Sequence, residues 1–180
     1  MNDLLVEQDG PVLRVTFNRP QAHNALTFAM YEGVYDACEK ADADPDVRVL
    51  VLRGAGGKSF VSGTDIAQFA GFDGAAGVGY EERMTRVLRR LEDTAVPTVA
   101  AVDGYCVGGG LALAATCDLR IATKAARFGV PIARTLGNTL SMDTCALLVA
   151  HLGRRCGVNR TLRFAVCRRR RSTRNCAALW

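Results

Sequence analysis

Three consecutive glycines, Gly108-Gly109-Gly110, stand between the β-type run Pro97 to Val102 and an apolar helical run that begins at Leu111. If the triplet opens a helix, its first amides are orphan donors at the positive end of the helix dipole, a place that favours an anion. About forty residues earlier lies a second turn of small residues, Phe60-Val61-Ser62-Gly63-Thr64-Asp65-Ile66. Gly63 supplies backbone freedom there, and Asp65 is placed to start the next helix. The two bare turns are expected to hold one developing negative charge between an amide of the glycine triplet and the amide of Thr64, which is the arrangement of an oxyanion hole. The competing reading is that these glycines only permit tight packing of a helix on a sheet.

The rest of the chain fits one ordinary globular domain. It has 180 residues, 49% hydrophobic and 23% charged, enough for an apolar core. No apolar run reaches the roughly 18 residues of a membrane span, and the start Met1-Asn2-Asp3 is acidic, so a cytoplasmic address and no membrane partner are expected. The net charge of +5 is unevenly distributed: Met1 to Ala150 holds 14 Lys and Arg against 18 Asp and Glu, whereas His151 to Trp180 holds nine Arg and no acid. A nucleic-acid partner would have to use that tail, yet no aromatic residue is interleaved with its arginines to stack bases. The seven cysteines form no C-x-x-C pair and only two histidines accompany them, so no metal site is expected. Cys38, Cys106, Cys117 and Cys145 read as small core residues carrying free thiols.

Leu4 to Gln8 and Val12 to Phe17 alternate across Asp9-Gly10 and predict a hairpin. Thr27 caps a helix whose stripe is Phe28, Tyr31, Val34, Tyr35 and Cys38, and Val47 to Arg53 follows as a strand. Gly54 to Ser59 superficially suggests a phosphate loop, but Leu52 stands where its first glycine is required. Gly71 to Gly79 reads as a loop able to cover a site, Tyr80 to Asp93 as a helix, Gly110 to Cys117 as another, and Leu119 to Thr123 as a strand. Ser141 caps a last helix. The β–turn–helix order thus occurs twice, once per amide donor.

Five blocks in order carry a resemblance: Asn18 to Leu26, Ser62 to Ile66, the glycine triplet, Cys117 to Ala122, and Arg127 to Pro131. Together they resemble the crotonase, or enoyl-CoA hydratase/isomerase, superfamily from about Leu4 to about His151. The resemblance implies an α/β crotonase-like ββα spiral, core region only, without the usual C-terminal helices. It also implies a coenzyme A thioester as substrate, with no permanently bound cofactor. Thr64 and Gly109 fall on the family's oxyanion amides. The resemblance implies that Ala22, His23 and Ala25 border the pantetheine and adenine, with Ser62, Thr64, Asp65 and Ile66 on the opposite wall, and that Gly63, Gly108, Ala112, Pro131 and Ile132 also take part in binding the substrate.

The two glutamates that hydratases of this family use fall at Ala112 and Ile132, and neither residue can move a proton. Asp65, Asp118 and Asp143 read as a turn, a strand-orienting and a helix-start residue respectively. Arg134 and Thr135 follow Ile132 toward the pocket, but arginine is a poor base. His23, the mid-range titrator of the matched region, is expected against the thioester arm. Arg19 either attracts the coenzyme's phosphates or sits on a solvated loop, and Ala67 stands where some relatives carry a lysine. The alternative to an enzyme is an acyl-CoA-binding protein without turnover. The resemblance implies a homo-trimer or hexamer, as is common among relatives, an assembly not expected of so short a form. Residues 1–153 are expected as the family-like domain, and 154–180 as an Arg- and Cys-rich tail of the kind a reading-frame shift produces.

Overall fold

The computed structural model of the chain describes residues 2–131 and 140–152. β1 (Leu4–Asp9) and β2 (Val12–Phe17) pair antiparallel from Leu4↔Phe17 to Asp9↔Val12, turning at Gly10 with φ +53°. Alternation then puts Leu13, Val15 and Phe17 in the core. The hairpin forms as expected from its turn chemistry.

α1 (Phe28–Ala43) starts where Thr27 Oγ1 accepts the Met30 N–H at 3.2 Å. Its buried stripe is Met30, Tyr31, Val34, Ala37, Cys38 and Ala41, while Phe28 and Tyr35 are half-buried. The stripe is therefore rotated from the expected one, because both aromatic rings turn toward another helix, α2 (Gly74–Glu92). There the Phe28 ring packs 5.8 Å from that of Tyr80, and the Arg86 guanidinium lies 4.6 Å over the Tyr35 ring.

The remainder winds as a spiral. β3 (Val49–Gly54), β5 (Thr98–Val102) and β7 (Leu119–Ala122) extend the hairpin into a five-stranded sheet of order β1-β2-β3-β5-β7, parallel from β2 onward. Each of these three strands turns into a shorter one, β4 (Ser59–Val61), β6 (Tyr105–Val107) and β8 (Arg127–Gly129), and these form a second parallel sheet. At the second corner Gly104 has φ +70°, and a Cβ there would lie 2.0 Å from Lys58 O, so only glycine lets the successive turns of the spiral touch. Three strand pairs, each followed by a helix, make the ββα spiral expected. The Gly54–Ser59 segment leads into β4 rather than a helix, which is not the arrangement of a phosphate loop.

Within the spiral, α2 begins six residues before the expected Tyr80 and takes in part of the glycine-rich segment read as a loop. Asp73 Oδ1 accepts the Ala76 N–H at 2.8 Å, and Tyr80, packed 4.8 Å from the Phe69 ring, anchors the second turn. The cap and this anchor outweigh the helix cost of the intervening glycines. α3 (Gly109–Thr116) is buried on every side from Gly110 onward, as an apolar helix threaded between sheets must be. α4 (Met142–Leu152) is capped by Ser141, whose Oγ accepts the Thr144 N–H at 3.3 Å. No described helix is long and apolar enough to cross a membrane.

Candidate functional site

The two glycine turns meet. Leu26 N–H donates to Gly63 O at 2.8 Å and Asp65 N–H donates to Leu26 O at 2.9 Å, so a parallel bridge pins both neighbours of Thr64. Peptide groups alternate across such a bridge, which turns the Thr64 N–H to the side away from Leu26. Gly63, at φ +101°, makes the reversal that permits this. Asp65 Oδ1 accepts the Ala67 N–H at 3.1 Å and starts the short 3₁₀ turn Ile66–Phe69.

On the facing side, Gly108 N–H donates to Gly129 O at 3.0 Å, and Gly108 O accepts the Leu111 and Ala112 amides. Gly109 is the first residue of α3, where no intrahelical acceptor exists for its N–H. Among the described residues, neither the Thr64 nor the Gly109 amide has a hydrogen-bond acceptor. A Cβ on Gly108 would lie 3.5 Å from Gly63 Cα, and one on Gly109 would lie 3.4 Å from Thr64 Oγ1. Turns 45 positions apart in the chain thus lie against each other.

The segment Asn18 to Leu26 is locked beside them. Asn24, buried at φ +57°, donates from Nδ2 to Ala55 O and Ser59 O at 2.9 and 2.7 Å and accepts the Arg19 N–H at 2.9 Å. Arg19 pairs with Asp65 at 3.0 Å and Asp3 at 3.4 Å and donates to Ala25 O at 2.8 Å. Its side chain is 17% exposed, so it is neither a loose loop arginine nor a spare cation for phosphates. Ala22 and Ala25 are half-buried, and the exposed His23 ring stands edge-on to that of Tyr105 at 6.4 Å. Ser62 is half-buried beside them, and Ile66 is 61% exposed. Ala112 is buried in α3, at 1% exposure. Pro131 is half-buried, and Ile132, Arg134 and Thr135 lie outside the described residues.

The carboxylates weighed as substitute acids are engaged elsewhere. Asp118 binds Thr98 at the start of β5, the end of that strand remote from the turn to Gly108, and Asp143, in the first turn of α4, pairs with Arg89 at 3.4 Å. Among the described residues no three His, Cys, Asp or Glu side chains gather as metal ligands. The surface grooves lined by Tyr35, Arg86 and Arg90 and by Leu4, Val6 and Gly33 both lie apart from the two turns.

Sequence reasoning misses a cluster of hydroxyls at this point. Thr64 Oγ1 lies 2.8 Å from Tyr31 Oη and 2.7 Å from Tyr80 Oη. Burial, and then the neighbouring Tyr80, holds the Tyr31 hydroxyl well above the ordinary phenol range, and burial likewise raises Tyr80. Around Tyr80, the rings of Phe28, Phe69 and Phe72 form a half-buried aromatic wall. Two tyrosines on otherwise aliphatic helix faces are the available signal in the sequence.

A spiral of ββα units whose helix-opening glycines face a second bare turn defines a crotonase-type α/β protein. The chain matches the enoyl-CoA hydratase/isomerase family over residues 7–163, and it belongs to that family. The match reaches past residue 153, the expected last residue of the family-like domain. It is 39% identical over 131 residues to a short-chain-enoyl-CoA hydratase of Clostridium acetobutylicum, covering 73% of this chain and 50% of that protein. A 2,3-dehydroadipyl-CoA hydratase of Escherichia coli is 36% identical over 131 residues, with the same coverage. Among solved structures, an enoyl-CoA hydratase/carnitine racemase from Magnetospirillum magneticum superposes with a TM-score of 0.82 at 34% identity, covering 87% of this chain and 59% of that one. The chain spans about half the length of the curated relatives it matches.

Proposed function

We propose that this chain binds a coenzyme A thioester and polarises its carbonyl oxygen between the N–H groups of Thr64 and Gly109. The observation that carries this reading is that both amides lack an acceptor among the described residues while their two turns touch. Neutral, fixed donors of this kind stabilise the enolate-like oxygen that develops when a thioester is deprotonated, hydrated or isomerised, and each contributes about 3 to 4 kcal/mol at the transition state. Ala22, His23 and Ala25 form one wall of the coenzyme channel and Ser62, Gly63, Asp65 and Ile66 the other. Gly108, Ala112, Pro131 and Ile132 are assigned to substrate binding as well. The thioester is substrate, with no resident cofactor, and the free thiols of Cys38, Cys106, Cys117 and Cys145 conform to a reducing cytoplasm.

The second reading, acyl-CoA binding without turnover, is favoured by the proton-transfer groups. Ala112 and Ile132 stand where relatives place glutamates, and Asp65, Asp118 and Asp143 are each held by a partner. A titration of the full chain with crotonyl-CoA, followed by thermal shift and by loss of the enoyl-thioester absorbance, tests both. Binding with absorbance loss supports the enzyme, and binding without it supports the second reading. No binding of crotonyl-CoA sinks both.

A further inference from the structure

We infer that Tyr31 is a positioning residue whose hydroxyl fixes the spacing of the two amide donors, an inference that rests on the two-amide reading and deepens it. One oxygen atom touches both residues that carry those amides. Tyr31 Oη is hydrogen-bonded to Thr64 Oγ1 at 2.8 Å, and a Cβ built on Gly109 would lie 2.4 Å from the same Oη. The hydroxyl is therefore a tether for the first turn and a steric stop for the second. On its far side Thr64 is held by the Leu26 bridge, and Gly108, next to Gly109, is held by Gly129 O. Between these anchors the brace leaves the two turns one separation.

The burial of the cluster supports the same assignment. Thr64 Oγ1 lies between two phenol oxygens, and either atom of each pair can donate. Tyr31 is 1% exposed, so a proton left on its oxygen without an acceptor would be costly, whereas Tyr80 is half-buried. The Tyr31 hydroxyl is therefore held in its hydrogen bond with Thr64 whichever of the two oxygens donates. Burial keeps the Tyr31 phenol protonated across the neutral range, so the brace does not come and go with pH. Oxyanion donors work by preorganisation, and a displacement of about 1 Å costs on the order of 10²-fold in rate. A brace between the two donors acts on that term.

The competing reading is a core tyrosine that merely satisfies its own hydroxyl, and it leaves the donors unmoved when the hydroxyl is removed. The test uses the full chain and 4-(dimethylamino)cinnamoyl-CoA, whose absorption moves to longer wavelength when its thioester oxygen accepts strong hydrogen bonds. At saturation the wild type is expected to red-shift the probe. Tyr31→Phe and Thr64→Val, which keep both amides and remove one hydroxyl each, are expected to lose most of that shift while still binding the probe. Thr64→Ser, which keeps the hydroxyl, is expected to retain it. Wild type, Tyr31→Phe and Thr64→Val shifting the probe equally would overturn the brace and leave the two-amide reading standing. A probe bound but unshifted by the wild type would overturn the two-amide reading and the brace with it.

Discussion

Thr98 and Asp118 grip each other through three hydrogen bonds. The Asp118 carboxylate accepts from Thr98 N–H and Oγ1, both at 3.0 Å, and Asp118 N–H donates to Thr98 Oγ1 at 2.9 Å. The grip joins the starts of β5 and β7, neighbours in the large sheet. Replacing Asp118 by Ala strands two donors of a residue that is 1% exposed, and the loss is expected to be about 2–3 kcal/mol. Asp118→Asn, which keeps one acceptor oxygen, is expected to cost less. Urea midpoints for the two variants, with unchanged slopes, check the order; midpoints equal to that of the wild type would show that the grip adds nothing.

The glycines of this chain separate into two kinds. On Gly110 a Cβ would lie 2.6 Å from Val61 Cβ and 2.6 Å from Val61 O, a backbone atom that cannot swing aside. Gly110→Ala is expected to destabilise by about 1–3 kcal/mol through overpacking. On Gly77, inside α2, a Cβ meets nothing within 4 Å, so Gly77→Ala is expected to stabilise by about 0.5–1 kcal/mol. Thermal unfolding of the pair should show shifts of opposite sign.

Arg90 ties α2 to α1. Its guanidinium bonds Glu39, Asp42 and, at 3.1 Å, Cys38 O, and its side chain is only 15% exposed. Burial opposes its charge, but the hydrogen bonds it donates to the Glu39 and Asp42 carboxylates outweigh burial and raise its pKa. Arg90→Met keeps the stem and removes the head, leaving Cys38 O and two carboxylates without their donor. The expected cost is about 1.5–3 kcal/mol, measured by chemical denaturation and persisting in high salt because the head is mostly enclosed.

Burial pushes the Cys117 thiol up to about 12 and raises the Cys106 and Cys38 thiols as well. Below the ordinary value near 9 these thiols are neutral in folded and unfolded chains alike, and their contribution to stability is fully present. As pH rises further the unfolded chain ionises them and the folded chain resists, so stability falls through the folded value. Unfolding free energy is therefore expected to decline above pH 9, less steeply in Cys117→Ala. At neutral pH, iodoacetamide should leave Cys106 and Cys117 unmodified in the native protein and alkylate them in denaturant, as peptide mass mapping would show. Rapid alkylation of the native thiols would contradict the burial described.

What is legible in the sequence is what neighbouring residues decide among themselves. The Asp9-Gly10 hairpin, the Thr27 cap and the Asp65 cap each depend on a few adjacent positions, and each is found where the residues predict it. The start of α2 is misread because glycine content argues for a loop, while the decision falls to the Asp73 cap and to rings contributed by Phe28 and Phe69. Arg19, read as a possible phosphate partner, is claimed by Asp65, which lies far along the chain. Tyr31 is correctly read as core from its ring, but its hydroxyl finds Thr64 33 positions away, and helical spacing carries no trace of that pairing. The two bare turns are legible because glycine is required there for backbone reasons, whatever stands opposite.

The Thr64 turn hangs on Leu26, and Gly108 hangs on Gly129. No short stretch of the polypeptide therefore contains both turns. A nascent chain that has emerged only as far as Thr64 displays a turn with nothing facing it, and the cradle exists only once Gly129 has joined β8 to the spiral. Long-range closure of this kind is slow compared with local helix formation. Ligand capture during synthesis should accordingly be abrupt, absent from shorter ribosome-bound fragments and present once the third strand pair is complete.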